Sequence, residues 1–138
     1  MGKKFEFLEH TADIKFQAFG KNTDEVFKNS ALALFNILYG KKIKEKRTYK
    51  IKVKGRDFES LLYNFLEEFL VLFDSKNFLP GKIKKLKLNS EKFEIEAEVA
   101  GDKIANYDTS VHVKAITYNE MFIKKDKDKY TAQVVVDV

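Results

Sequence analysis

Apolar and polar residues alternate along several short stretches of this chain and recur at helical spacing along two longer ones. Lys4 to Glu9 alternates around Phe5, Phe7 and Leu8, and Ile14 to Phe19 alternates again with Ile14, Phe16 and Ala18 on one face. A period of two predicts strands, and the polar Glu9–Asp13 between them predicts a connection or a bulge that presents His10 and Asp13 near a sheet end. Phe27, Ala31, Leu34 and Leu38 then recur at helical spacing, predicting a helix from about Asp24 to Tyr39. Thr23 is placed to cap it, Asp24 and Glu25 suit the positive end of its dipole, and Gly40 suits its stop. Thr48 to Gly55 alternates strictly, with Tyr49, Ile51 and Val53 opposite Lys50, Lys52 and Lys54. Asp57 caps a second helix whose Phe58, Leu61, Leu62, Phe65, Leu66, Phe69, Leu72 and Phe73 cover most of its circumference. So apolar a helix is central, with Glu67 and Glu68 expected in solvent. It ends near Asp74–Asn77, and Pro80-Gly81 completes the break.

The remainder reads as strand throughout. Ile83, Leu86 and Leu88 mark one strand, Asn89-Ser90 a turn, and Phe93, Ile95, Ala97 and Val99 its hairpin partner, whose glutamates face the lysines of the neighbour. Gly101 to Asp108 is a loop. Val111 to Thr117, Glu120 to Lys124 and Lys129 to Val138 are three further strands. The last is almost wholly apolar, as a strand deep in a sheet would be. The expectation is one α+β domain spanning residues 1–138: a mostly antiparallel sheet with two helices packed on it.

Composition narrows the chemistry. The 138 residues contain no cysteine, which removes disulfides, thiolate metal sites and cysteine nucleophiles. No apolar run approaches a membrane span and no signal-peptide core opens the chain, so a cytoplasmic protein is expected. The net charge of +5 admits acidic partners such as RNA. Its even spread instead favours a lysine- and glutamate-rich surface of the heat-adapted kind. The Lys50–Lys54 stripe reads as a phosphate-binding stripe or as a solvated sheet face. The lack of an aromatic residue among those lysines favours the solvated face.

No phosphate-cradling glycine loop occurs, since Gly20-Lys21 and Gly81-Lys82 lack the spacing. With His10 and His112 the only histidines, a three-histidine zinc site is excluded. Asp108, Ser110 and His112 lie on one short segment without the sharp turn of a nucleophilic serine, which argues against a triad. The stronger feature is at the end. Asp137 stands beside the carboxylate of Val138, and two anions at the end of a buried strand require a compensating cation: a metal ion, a lysine or a partner's arginine. Asp13 precedes one apolar strand and Asp137 ends another, so a sheet could bring them to one rim. Such hard oxygen ligands suit calcium or magnesium. The competing reading makes Asp13 a turn residue and Asp137 a frayed chain end.

From composition alone the competing reading would prevail, and four signatures in order bear on the choice. His10-Thr11-Ala12-Asp13, the run Leu61 to Leu70 followed by Leu72-Phe73-Asp74, Val113-Lys114-Ala115-Ile116-Thr117-Tyr118 and the terminal Val135-Val136-Asp137-Val138 together resemble the archease family over essentially the whole chain. The resemblance implies an accessory protein of the RtcB-type tRNA-splicing ligase. It implies promotion of GMP transfer to the ligase's active-site histidine and of multiple turnover, broader nucleotide use, and no catalysis of its own. It also implies that a calcium ion, or another divalent metal, is held by Asp13, Asp137 and Val138. His10 and Lys114 are implied neighbours of that site or of the partner, and tRNA is touched only indirectly. A lysine-rich RNA-binding module or tRNA chaperone, and a metal-dependent phosphoesterase using the same carboxylates, are the alternative expectations.

Overall fold

A computed structural model describes residues 2–10, 12–109 and 111–138. Strands β1 (Phe5–Leu8) and β2 (Ile14–Gly20) lead into helix α1 (Thr23–Leu38), then strand β3 (Arg47–Lys54) and helix α2 (Phe58–Lys76). Strands β4 (Phe78–Asn89) and β5 (Glu94–Lys103), a 3₁₀ turn (Ile104–Asn106), and strands β6 (Ala115–Asp126) and β7 (Lys129–Asp137) complete the chain. The strands form two antiparallel sheets and not one: β1-β2-β7-β6 and β3-β5-β4. Each helix packs against strands of both sheets. The α+β class therefore stands, while the single expected sheet is divided in two. Alternation shows only that one face of a strand is buried; it does not say which sheet the strand joins.

Side-chain chemistry sets the helix ends. The Asn22 side chain, not that of Thr23, caps α1 by accepting from the Glu25 amide at 2.8 Å. α1 stops at Leu38 because Tyr39 turns extended, with its N–H still reaching the Phe35 carbonyl; Gly40 adopts no left-handed cap. Asp57 and Ser60 form a reciprocal capping box at the start of α2, and Asn77 ends it in the left-handed conformation at φ 51°. The phenylalanine stripe of α2 is core: Phe65 and Phe69 are fully buried, and Phe69 meets Phe35 of α1 edge-on at 4.9 Å between ring centroids. Glu67 is exposed and Glu68 half-buried.

Two connections differ from the pattern's expectation. Pro80-Gly81 does not extend the break after α2 but lies inside β4, where the pairing register shifts between Pro80 and Lys82. β4 is an edge strand, where proline's missing N–H costs no ladder bond, and a bulge accommodates it. The facing Gly101 permits this approach, since a Cβ there would lie 2.0 Å from the Leu79 carbonyl oxygen. The second difference is at β6. Its strand begins at Ala115, not Val111, and it is continuous through Tyr118 and Asn119 instead of breaking into two strands.

The lysine stripe of β3 is answered by glutamates of β5. Lys52 lies 3.6 Å from Glu96 and Lys54 3.3 Å from Glu94, while Lys85 of β4 lies 3.8 Å from Glu98. This is a charge-paired outer sheet face whose individual pairs contribute little.

Because Phe69 joins the two helices, Phe69→Ala should lower unfolding free energy by about 3–5 kcal/mol. Lys50→Ala on the outer face should change it by less than about 0.5 kcal/mol. Urea denaturation of both variants measures the contrast.

Candidate functional site

The candidate rim forms at one end of the β2–β7 pair. These strands run antiparallel from Ile14 opposite Val136 to Gly20 opposite Tyr130. Asp13 and Asp137 are the next residues outward from the Ile14–Val136 pair, so the ladder brings both sequence-nominated carboxylates to one sheet end. Asp137 is also anchored on its other side: it pairs with Ala115 of β6, and its carbonyl accepts from the Lys114 amide at 2.8 Å. Among the described residues, neither aspartate forms an ion pair with a lysine or arginine. The basic neighbour of Asp13 is His10, with Nδ1 3.8 Å from Oδ2.

His10 is held from its other nitrogen. Its Nε2 lies 2.9 Å from a Glu120 oxygen, and Lys15 Nζ donates to the second Glu120 oxygen at 3.4 Å. His10 first, then Lys15, keep the Glu120 carboxyl below its ordinary pKa. Among the described residues, His10 Nδ1 is buried without a hydrogen-bond partner. Fixing one ring nitrogen on a carboxylate, as Glu120 does here, is how the orientation of a metal-ligating histidine is commonly set. No three His, Cys, Asp or Glu side chains cluster for a metal among the described residues. A cation at this end would take two hard oxygen donors from Asp13 and Asp137 and a third from a group such as the Val138 carboxylate or a backbone carbonyl. The donor chemistry thus fits a hard divalent cation more than zinc.

Glu120 reaches this place through a wide irregularity in β6. Thr117 pairs with Val135 and Phe122 with Gln133, so five steps along β6 face two along β7. Glu120 sits at the centre of that bulge at φ 55°, a conformation uncommon for a residue with a side chain. Gln133, only 8% exposed, holds it there. Its Nε2 donates to the Glu120 carbonyl at 2.8 Å and its Oε1 accepts from Gln17 at 2.9 Å. Thr117 Oγ1 adds a bond to the Val135 carbonyl at 2.8 Å.

The motif residues fare differently. Thr11 and Ser110 lie outside the described residues, so the Asp108-Ser110-His112 arrangement is not described. Lys114 is exposed, but residues 111–114 form no strand, so it does not share an alternating face with His112 and Ile116: Ile116 is buried and His112 exposed. Glu120, Gln133, Gln17 and Lys15 were not singled out in the sequence. Lys15 carried a weak signal, being the one charged residue of the Ile14–Gly20 strand. Glu120 carried none, because its position depends on a bulge that alternation does not reveal.

Gln133→Leu should leave the Glu120 carbonyl and the Gln17 amide unpaired and cost about 1–3 kcal/mol. It should also release Glu120 from His10, which shows as a changed His10 ring resonance in NMR spectra. An unchanged resonance would mean the bulge holds without Gln133.

Comparison with known proteins places this geometry in context. Residues 5–138 match the Archease protein family. The chain is 42% identical to the protein archease of Methanosarcina barkeri, over 99% of this chain and 97% of that one. It is 37% identical to the protein archease of Sulfurisphaera tokodaii, over 99% of each. The solution structure of Methanobacterium thermoautotrophicum protein 1598 superposes with a TM-score of 0.82 at 29% identity, over 98% of this chain and 99% of that one. The crystal structure of a Thermotoga maritima archease, a possible chaperone, shares the fold with a TM-score of 0.69 at 20% identity, over 95% of this chain and 94% of that one.

Proposed function

From the premise that this chain belongs to the archease family, we propose that it is an accessory protein of the RtcB-type tRNA-splicing ligase. In this reading it promotes transfer of GMP to the ligase's histidine and lets the ligase turn over repeatedly, without catalysing a reaction itself. Asp13, Asp137 and the carboxylate of Val138 hold a divalent cation, calcium by the family resemblance. The observation that carries the metal is the register that takes Asp13 and Asp137 to one end of the β2–β7 pair, with no lysine or arginine paired to either carboxylate among the described residues. Two carboxylates carried to one strand end repel each other, and a cation held between them relieves that repulsion.

The bound cation supplies positive charge that offsets the carboxylates and fixes the strand ends. The chain's own residues do the rest. Glu120 and Lys15 orient His10, and His10 borders Asp13, so the rim is held in one arrangement before a partner arrives. Preorganisation of this kind favours one conformation of the partner by differential contact. Lys114 is exposed, and its backbone amide bonds the Asp137 carbonyl, so its side chain leaves the backbone close to the end of β7. It suits a contact to an acidic partner surface or a nucleotide phosphate.

A chaperone role, named as possible for the Thermotoga maritima relative, agrees with the same binding surface. Phosphoesterase turnover by the isolated protein would favour the enzyme alternative.

Ligase guanylylation measured with and without this protein tests the proposal, and a clear increase in the guanylylated fraction is expected. No increase would remove the ligase as partner. Calcium calorimetry on Asp13→Ala should show binding weakened at least tenfold; equal binding in both forms would exclude Asp13 as a ligand. Lys114→Ala should melt within a degree or two of wild type, as exposed substitutions do, yet lose stimulation. Retained stimulation would make it an ordinary exposed lysine.

A further inference from the structure

The strands that carry the acidic rim at one end finish in a basic cleft at the other. The cleft, about 940 Å³, lies between residues 2–4, the Gly20-Lys21 entry to α1 and the β6–β7 turn. Seven residues of β2 separate it from Asp13, a span of roughly 20 Å at about 3.3 Å per residue. Five lysines line it, Lys3, Lys4, Lys21, Lys28 and Lys129, against three acids, Glu6, Glu25 and Asp128. Among the described residues only Lys3 of these five is in an ion pair, with Glu6.

The β6–β7 hairpin treats its lysines differently from the β3-β5-β4 sheet. Lys129 Nζ sits 4.4 Å from the Phe19 ring centroid, Lys124 4.4 Å from Phe122 and Lys125 5.7 Å from Tyr130. A lysine paired with glutamate, as on the outer sheet face, has its charge neutralised. A lysine resting on an aromatic face is positioned and keeps its charge for another anion. Within the cleft Lys129 is placed in this way, and Lys4, Lys21 and Lys28 beside it form no ion pair among the described residues.

We infer that this cleft binds the phosphate backbone of single-stranded RNA. Its five lysines come from separate segments, residues 3–4, the α1 entry, α1 itself and the start of β7, which suits an anion with charges in a row more than a lone phosphate. Phe19 lines the cleft beneath Lys129 and adds an apolar wall beside the lysines. A flexible strand can pass between the α1 entry and the hairpin turn, whereas a duplex is too rigid to follow it. The inference departs from the expectation that tRNA is touched only indirectly. It stands apart from the ligase reading, because it uses the opposite end of the β2–β7 pair.

Fluorescence anisotropy of a labelled twelve-nucleotide oligouridine with the whole protein tests it. Neutralising about four phosphates should give log K falling with log salt at a slope of about −3. The triple variant Lys21→Glu, Lys28→Glu, Lys129→Glu should bind at least tenfold more weakly. A control triple of equal charge change outside the cleft, Lys41→Glu, Lys42→Glu, Lys103→Glu, should lose less than threefold. Circular dichroism melting checks that each variant folds; if the triple does not, the milder pair Lys21→Gln, Lys28→Gln should still weaken binding at least threefold. No binding by wild type in low salt, or equal losses in both triples, would overturn the inference. Displacement by millimolar uridine monophosphate would indicate a single-phosphate site instead, and equal displacement by oligoglutamate of matched charge an acidic-peptide site. Either would likewise overturn it.

Discussion

The pairing of β2 with β7 is the constraint on which the rest depends. It joins residues near the two ends of the sequence over seven consecutive pairs, from Ile14 opposite Val136 to Gly20 opposite Tyr130. Both strands are interior to their sheet, and β7 buries Ala132 through Val136. The two faces fix the register, because a slip of one residue would exchange Ala132, Val134 and Val136 of the core for Gln133 and Val135 of the other face. A fixed register in turn determines which residues emerge at each end: Asp13 and Asp137 at one, Gly20 and the β6–β7 turn at the other. The chemistry of this protein is in that sense a property of strand alignment, and the helices serve to hold the alignment under an apolar cover.

Gln133 turns the same alignment into a device for placing Glu120. It lies in β7, accepts from Gln17 of β2 and donates to the Glu120 carbonyl in the β6 bulge. A buried amide satisfied on both sides is costly to disturb. Through it the central pair governs a residue on the sheet's edge strand, and Glu120 then governs His10 from the other side of the rim. The unusual backbone at Glu120 persists because neighbouring strands determine it, as is common where a side chain must be aimed.

Local chemistry was legible from the sequence where it is carried by nearby residues. The phenylalanines of α2 announced a central helix, Asp57 announced its start, and Asn77 ended it where the run of apolar residues stopped. Asp13 and Asp137 could be nominated because each sits at the border of an apolar strand. What stayed hidden depends on partners distant in sequence. The division into two sheets, the passage of β4 through Pro80 and the unbroken course of β6 through Glu120 are set by which strand lies alongside, and no periodicity within a strand encodes that. Val111 to Lys114 shows the converse error: its apolar and polar residues alternate, yet no strand forms there, and only Lys114 bonds through its amide to Asp137.

In the proposed function the acidic end of the β2–β7 pair, and not merely the folded domain, acts on the ligase. Multiple-turnover RNA ligation by an RtcB-type ligase, with substrate in excess and either wild type or Asp137→Asn added, tests it most directly. This substitution keeps the size of the side chain and the backbone pairing with Ala115 but removes the charge. The account predicts that Asp137→Asn melts like wild type and that ligation then stops after about one turnover. Sustained turnover with the folded variant, equal to wild type, would contradict it.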